Sequence, residues 1–231
     1  VHGSRGLGDV YKRQMERMKV HVENSMKEGA MGIGSSLIYA PGDYASTEEL
    51  TELSKVASEY GGMYISHLRS EGTNLLEALE ELISISRNAN IPAEVYHLKA
   101  SREPNWSKLD DVIKRIEEVR KEGLKITADI YTYNASSTGL TGVIPTWVQE
   151  GGHRAWINRM KDPEVRPRLL ADIREQLDEQ PPEGILLVGF KTSKMSRKYL
   201  AKTVAEAAAM RGQTPEEAIV DLSLIHISEP T

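Results

Sequence analysis

The sequence predicts an α/β fold built on a parallel sheet, and three observations carry that prediction. Short apolar runs begin near residues 31, 63, 93 and 125, at a near-constant interval of about 30–32 residues. Between successive runs lies a stretch with the apolar period of an amphipathic helix. The runs are apolar almost throughout, as in strands buried on both faces, and do not alternate as half-exposed antiparallel strands do. Strands and helices alternating at this period make βα units. Open doubly wound sheets and eight-stranded barrels both share it. No G-x-G-x-x-G or G-x-x-x-x-G-K-[ST] follows any strand, so a nucleotide-binding sheet has no support.

The elements follow in order. Met18, Val22 and Met26 mark a helix over 15–28 that stops at Gly29. MGIGSSLIY (31–39) reads as a strand with a small-residue interior, and APGDYAS (40–46) as a loop. Ser46 and Glu49 form a capping-box pattern ahead of a helix with Leu50, Leu53, Val56, Ala57 and Tyr60 on one face. Gly61-Gly62 ends it. MYISHL (63–68) is the next strand, and Leu75, Leu76, Leu79, Leu82 and Ile83 mark a helix over 74–88. PAEVYHL (92–98) follows. Ser107 with Asp110 predicts a helix start, and Val112, Ile113, Ile116 and Val119 its apolar face. KITADIY (125–131) is the fourth strand.

After Tyr131 the rhythm breaks. The next strand-like run, ILLVGF (185–190), comes some sixty residues later and would make a fifth strand. The interval 132–184 therefore reads as an insertion, and long inserts in compact domains are usually lids or binding loops. A helix at 197–210 and a helix start at Thr214-Pro215-Glu216-Glu217 close the chain.

The chain has 231 residues, 39% hydrophobic and 27% charged, as in an ordinary globular domain. Its net charge of −5 argues for no nucleic-acid partner. With no cysteine, the chain holds no disulfide and no thiolate metal site. No apolar run reaches membrane-spanning length. A small-molecule partner and a cytoplasmic location are the expectations. The two ends stand apart. RGLGDVYKRQ (5–14) and LSLIHISEPT (222–231) can be read from opposite strands of one ten-codon DNA word, which resembles a sequencing-library adapter. Residues 1–14 and 222–231 are therefore expected to be adapter-derived, which leaves 15–221 for fold reasoning.

His67 and His97 carry the chemistry. They fall at the carboxyl ends of consecutive predicted parallel strands, the end at which barrels place their active sites. Adjacent strands lie roughly 4.8 Å apart, so two imidazoles there could meet one ion at roughly 2.0–2.1 Å. Equivalent placement in consecutive units favours metal ligation over two separate structural histidines. Asp129, in the fourth strand, reads either as a carboxylate orienting a histidine or as a polar group satisfied by loop amides. Arg69 and Lys99 each stand two residues past a histidine, placed to bind an anionic substrate group. For Arg69, a surface ion pair is the competing reading. His21 and His153 read as plain surface residues.

Four segments carry a family resemblance: GAMGIGSSLIYAPGDYASTEEL (29–50), YISHLRSEG (64–72), VYHLKA (95–100) and DIYTYNASSTGL (129–140). In that order they resemble the N-acyl-D-amino-acid deacylases, or D-aminoacylases, of the metal-dependent amidohydrolase superfamily. The resemblance implies a partial (β/α)8 barrel with about five strands present, and an insertion over 132–184 that covers the active site. It implies zinc, with His67 and His97 matching two ligands. Lys99 would match a residue that binds the substrate carboxylate. Tyr39, one of Tyr131 and Tyr133, and Ser137 would line the pocket. The implied reaction is hydrolysis of N-acyl-D-amino acids to a carboxylate and a D-amino acid. The family's His-x-His pair and bridging cysteine would precede residue 15 and its catalytic aspartate would follow 221, so no catalytic residue is expected on this chain. A hydantoinase- or dihydroorotase-like cyclic-amide hydrolase is the nearest alternative, but the strand at 31–39 lacks the modified lysine those typically use. A barrel that only binds ligand is another.

Overall fold

The computed structural model describes residues 3–190 and 197–228. Residues 1–2 and 229–231, within the two segments expected to be adapter-derived, lie outside the described residues. Two compact units divide at 133/134.

In the first unit, strands and helices alternate: α1 (Gly3–Lys27), β1 (Gly32–Ser36), α2 (Thr47–Glu59), β2 (Met63–His67), α3 (Leu75–Ala89), β3 (Ala93–Val95), α4 (Leu109–Lys121) and β4 (Ile126–Ala128). The strands pair in parallel in the order β1-β2-β3-β4. That sequential order suits an arc of a barrel, because a doubly wound sheet reverses its order at a switch point. Gly32 allows β1 to close on β2, since a Cβ there would stand 1.9 Å from the Met63 carbonyl oxygen.

The helices follow the sequence signals closely. The Ser46 hydroxyl accepts the Glu49 N–H at 3.1 Å and starts α2. Gly61, at φ +72°, follows its end. Asn90, at φ 50°, closes α3, whose Leu75, Leu79, Leu82 and Ile83 are buried against the sheet core. In α4 the expectation needs two corrections. Ser107 does not cap the helix, because a 3-10 turn over Glu103–Lys108 precedes it. Ile113 is 44% exposed, since Val112, Ile116 and Val119 already complete the buried stripe.

The second unit is helical: α5 (Thr146–Gln149), α6 (His153–Lys161), α7 (Arg166–Glu179), α8 (Val204–Arg211) and α9 (Pro215–Ser228). Its core gathers Val148, Met160, Leu169, Ile173, Val204 and Ile219. The expected fifth strand at 185–190 does not join the sheet. Leu186 forms an antiparallel bridge with Thr203, and Leu187 N–H donates to Lys202 O at 2.9 Å. Leu187 is buried while Leu186 and Val188 are exposed, so the run is a half-buried ribbon and not a strand covered on both faces. The parallel sheet has four strands among the described residues. The helix expected over 197–210 is broken before Thr203, which opens α8 with a reciprocal capping box to Glu206. The expected adapter-derived segments are helical where described: α1 begins at Gly3 and α9 runs to Ser228. Among the described residues, no helix is long and apolar enough to cross a membrane.

Candidate metal centre

The carboxyl ends of β2 and β3 bring the two histidines together. His67 is the last residue of β2 and only 8% exposed. A run of hydroxyls supports its backbone. The Tyr64 hydroxyl lies 2.7 Å from Ser35 Oγ, Ser35 Oγ donates to Ser66 Oγ at 2.9 Å, and Ser66 Oγ donates to the His67 carbonyl at 2.9 Å. His67 Nδ1 stands 3.0 Å from the Leu68 carbonyl oxygen. A carbonyl can only accept, so Nδ1 carries the proton and Nε2 presents a lone pair. Burial pushes the His67 pKa below the ordinary histidine value, against the opposing charge of Glu71, and so favours that neutral, ligating form.

His97 lies two residues past β3 in the left-handed region, at φ 38°. Such a conformation is uncommon for a residue with a side chain, and it marks functional sites more often than chance. Asp129 holds the turn: its carboxylate accepts the His97 N–H in a close contact, and its carbonyl accepts the Leu98 N–H at 2.8 Å. The two imidazole rings meet edge to face, with centroids 4.6 Å apart.

Glu71 stands between them. Its Oε1 lies 3.0 Å from His97 Nδ1, 3.6 Å from His67 Nε2 and 2.5 Å from Lys99 Nζ. Lys99 Nζ also lies 2.8 Å from His97 Nδ1 and 5.4 Å from the centre of the Tyr131 ring. One ligand atom each from His67, Glu71 and His97 all fall within 4.8 Å of one another. Imidazole nitrogens and a carboxylate oxygen are donors zinc accepts, so the chemistry of the cluster fits such an ion.

The other expected residues separate. Tyr39 sets its ring edge-on to His67, with centroids 5.7 Å apart. Tyr131 lies 6.3 Å from the His97 ring, whereas Tyr133 is 79% exposed. Ser137 is exposed in the second unit. Arg69 takes up the competing ion-pair reading, with its guanidinium committed to protein groups. It makes two 2.9 Å bonds to Glu81, and donates to the carbonyls of Asp43 and Ala45 at 2.8 Å each. Its geometry pins the loop before α2 and leaves no fork for a substrate anion. Asp129 orients the His97 backbone and not its imidazole. The sequence reading missed Glu71 as a site residue. The available signal was its place four residues after His67 inside SHLRSEG.

No family model matches the chain. Two curated relatives from Alcaligenes xylosoxydans xylosoxydans, an N-acyl-D-glutamate deacylase and a D-aminoacylase, are each 33% identical to it over 127 residues. Those residues are 55% of this chain but 25% and 26% of theirs, so the match spans about a quarter of the length of the curated relatives. Among solved structures, the N-acyl-D-glutamate deacylase of Bordetella bronchiseptica aligns with a TM-score of 0.70 at 23% identity. The alignment covers 91% of this chain and 37% of that one. That protein was solved with zinc and a phosphonate inhibitor that mimics the tetrahedral intermediate of its reaction. The likeness shows the fold, and the four parallel strands are accordingly part of a (β/α)8 barrel.

Proposed function

We propose that this chain belongs to the N-acyl-D-amino-acid deacylase family of the metal-dependent amidohydrolases and forms part of the active site of an enzyme that hydrolyses N-acyl-D-amino acids to a carboxylate and a D-amino acid. One observation carries the reading: two histidines at adjacent strand ends converge with an ammonium group beside them.

His67, through Nε2, and His97 would hold a zinc ion. When bound, zinc supplies the Lewis acidity that polarises an amide carbonyl and activates water. The Leu68 carbonyl fixes the His67 tautomer for that role. Lys99 would bind the substrate carboxylate as a point charge, with the Tyr131 ring beside it. Tyr39 would form a wall of the pocket against His67, and Tyr133 and Ser137 stay proposed as lining residues. Two of the chain's aspartates are already committed. Asp129 accepts from the His97 backbone, and Asp221 pairs with Arg166 in the second unit. Neither is assigned the transfer of a proton to the leaving amine.

The test is release of D-amino acid by the full-length protein from N-acyl-D-amino acids. Release should stop on chelation and return with zinc, and the L-enantiomers should react far more slowly. Chelator-insensitive hydrolysis, or none by the zinc-loaded protein, would overturn the proposal.

A further inference from the structure

We propose that Glu71 is the positioning residue that sets Lys99 for an anionic substrate group, and that it is not a metal ligand. This deepens the deacylase reading and rests on it. Lys99 has a long, flexible stem, and an ammonium bonds well from many rotamers. A group that recognises one carboxylate in one place needs that freedom removed. Glu71 removes it. Its Oε1 takes the ammonium at 2.5 Å, the shortest of the three contacts at that oxygen, while His67 Nε2 stands back at 3.6 Å. The His97 carbonyl accepts from the same ammonium at 3.0 Å. Glu71 Oε1, the His97 carbonyl and His97 Nδ1 at 2.8 Å thus fix where Lys99 Nζ stands.

Glu71 is itself tied from both ends. Its backbone carbonyl accepts the Ser101 N–H at 2.7 Å, and Ser101 Oγ donates to Oε2 at 3.4 Å. The loop after β2 is thereby bound to the loop after β3, and the side chain is only 14% exposed. A carboxylate fixed in this way, with one oxygen on an ammonium and the other on a hydroxyl, serves as a counter-ion. The specificity that follows is for substrates with a free carboxylate.

The test uses the full-length protein, with two substrates: an N-acyl-D-amino acid and its carboxamide, which lacks the charge. Glu71→Gln should raise KM for the acid relative to the amide by roughly tenfold, the size of one charge-assisted bond. It should retain the zinc content of the unaltered protein, and Glu71→Asp should recover part of the loss. In a Lys99→Gln background, Glu71→Gln should cost little more, because the two act as a unit. Loss of zinc from Glu71→Gln would overturn the proposal by making Glu71 a ligand. An equal effect on both substrates, or full additivity with Lys99→Gln, would overturn it as well. Should Glu71→Gln fail to fold, Glu71→Asp alone carries the same acid-to-amide comparison. Failure of the deacylase reading itself would show differently, as absence of D-amino-acid release by the unaltered protein.

Discussion

At the scale of residues, the account stands on His67 and His97. Each has one imidazole nitrogen fixed or crowded by a neighbour, and both rings lie at the ends of adjacent strands. His67→Ala or His97→Ala should lower zinc affinity by more than the roughly 10–100-fold that loss of an outer hydrogen-bond partner costs. Competition against a chromogenic chelator measures this. The histidines were legible in the sequence because spacing alone puts them on equivalent strand ends. Glu71 was not, because its role comes from a loop that folds back to Ser101, a contact thirty residues away. For Arg69 the sequence left an ion pair as the competing reading but did not show its partner. Its position beside His67 is local, but its partner Glu81 sits on α3, and proximity in sequence does not show which way a guanidinium turns.

At the scale of elements, the parallel order of β1 to β4 was legible from the regular interval of apolar runs. The run at 185–190 carries the same composition and does something else. Composition reports that a segment can pair, and only the partner decides whether it is covered on one face or both. Here the partner is the segment around Thr203. Two predictions belong to this scale. Gly32→Ala places a methyl against the Met63 backbone and should destabilise the β1–β2 pair by about 3 kcal/mol. Arg69→Ala removes charge-assisted bonds to Glu81 and two carbonyls, and should cost about 1.5–3 kcal/mol. Denaturant titration of the full-length protein reads both.

At the scale of the whole molecule, the chain is two units, one carrying the candidate site and the other helical. The apolar rhythm breaks after Tyr131, and the two units divide at 133/134. The extent of the second unit was not legible, because its core joins Val148 and Leu169 to Ile219, residues with no common period. Asp221 helps bind that unit, bonding to Arg166 and Gln213. Burial pushes its pKa up, but the bonds from Gln213 and Arg166 outweigh this and hold it below the ordinary aspartate value. A carboxylate with a lowered folded pKa contributes stability above its unfolded pKa, and that stability is lost as pH falls through the folded value. The Asp221 contribution should therefore fade below about pH 4. Asp221→Asn should cost about 1–3 kcal/mol at neutral pH and progressively less in acid. The outer edges of β1 and β4 are unpaired among the described residues, so the isolated 231-residue chain should self-associate. Light scattering against concentration checks that.

The most direct measurement is a crystal structure of the full-length protein with zinc, using anomalous scattering to locate the metal. The account predicts an anomalous peak within roughly 2.0–2.1 Å of His67 Nε2 and of the His97 imidazole, with Glu71 beyond bonding distance and on Lys99. A fully occupied zinc elsewhere, with His67 and His97 bonded only to protein groups, would contradict it.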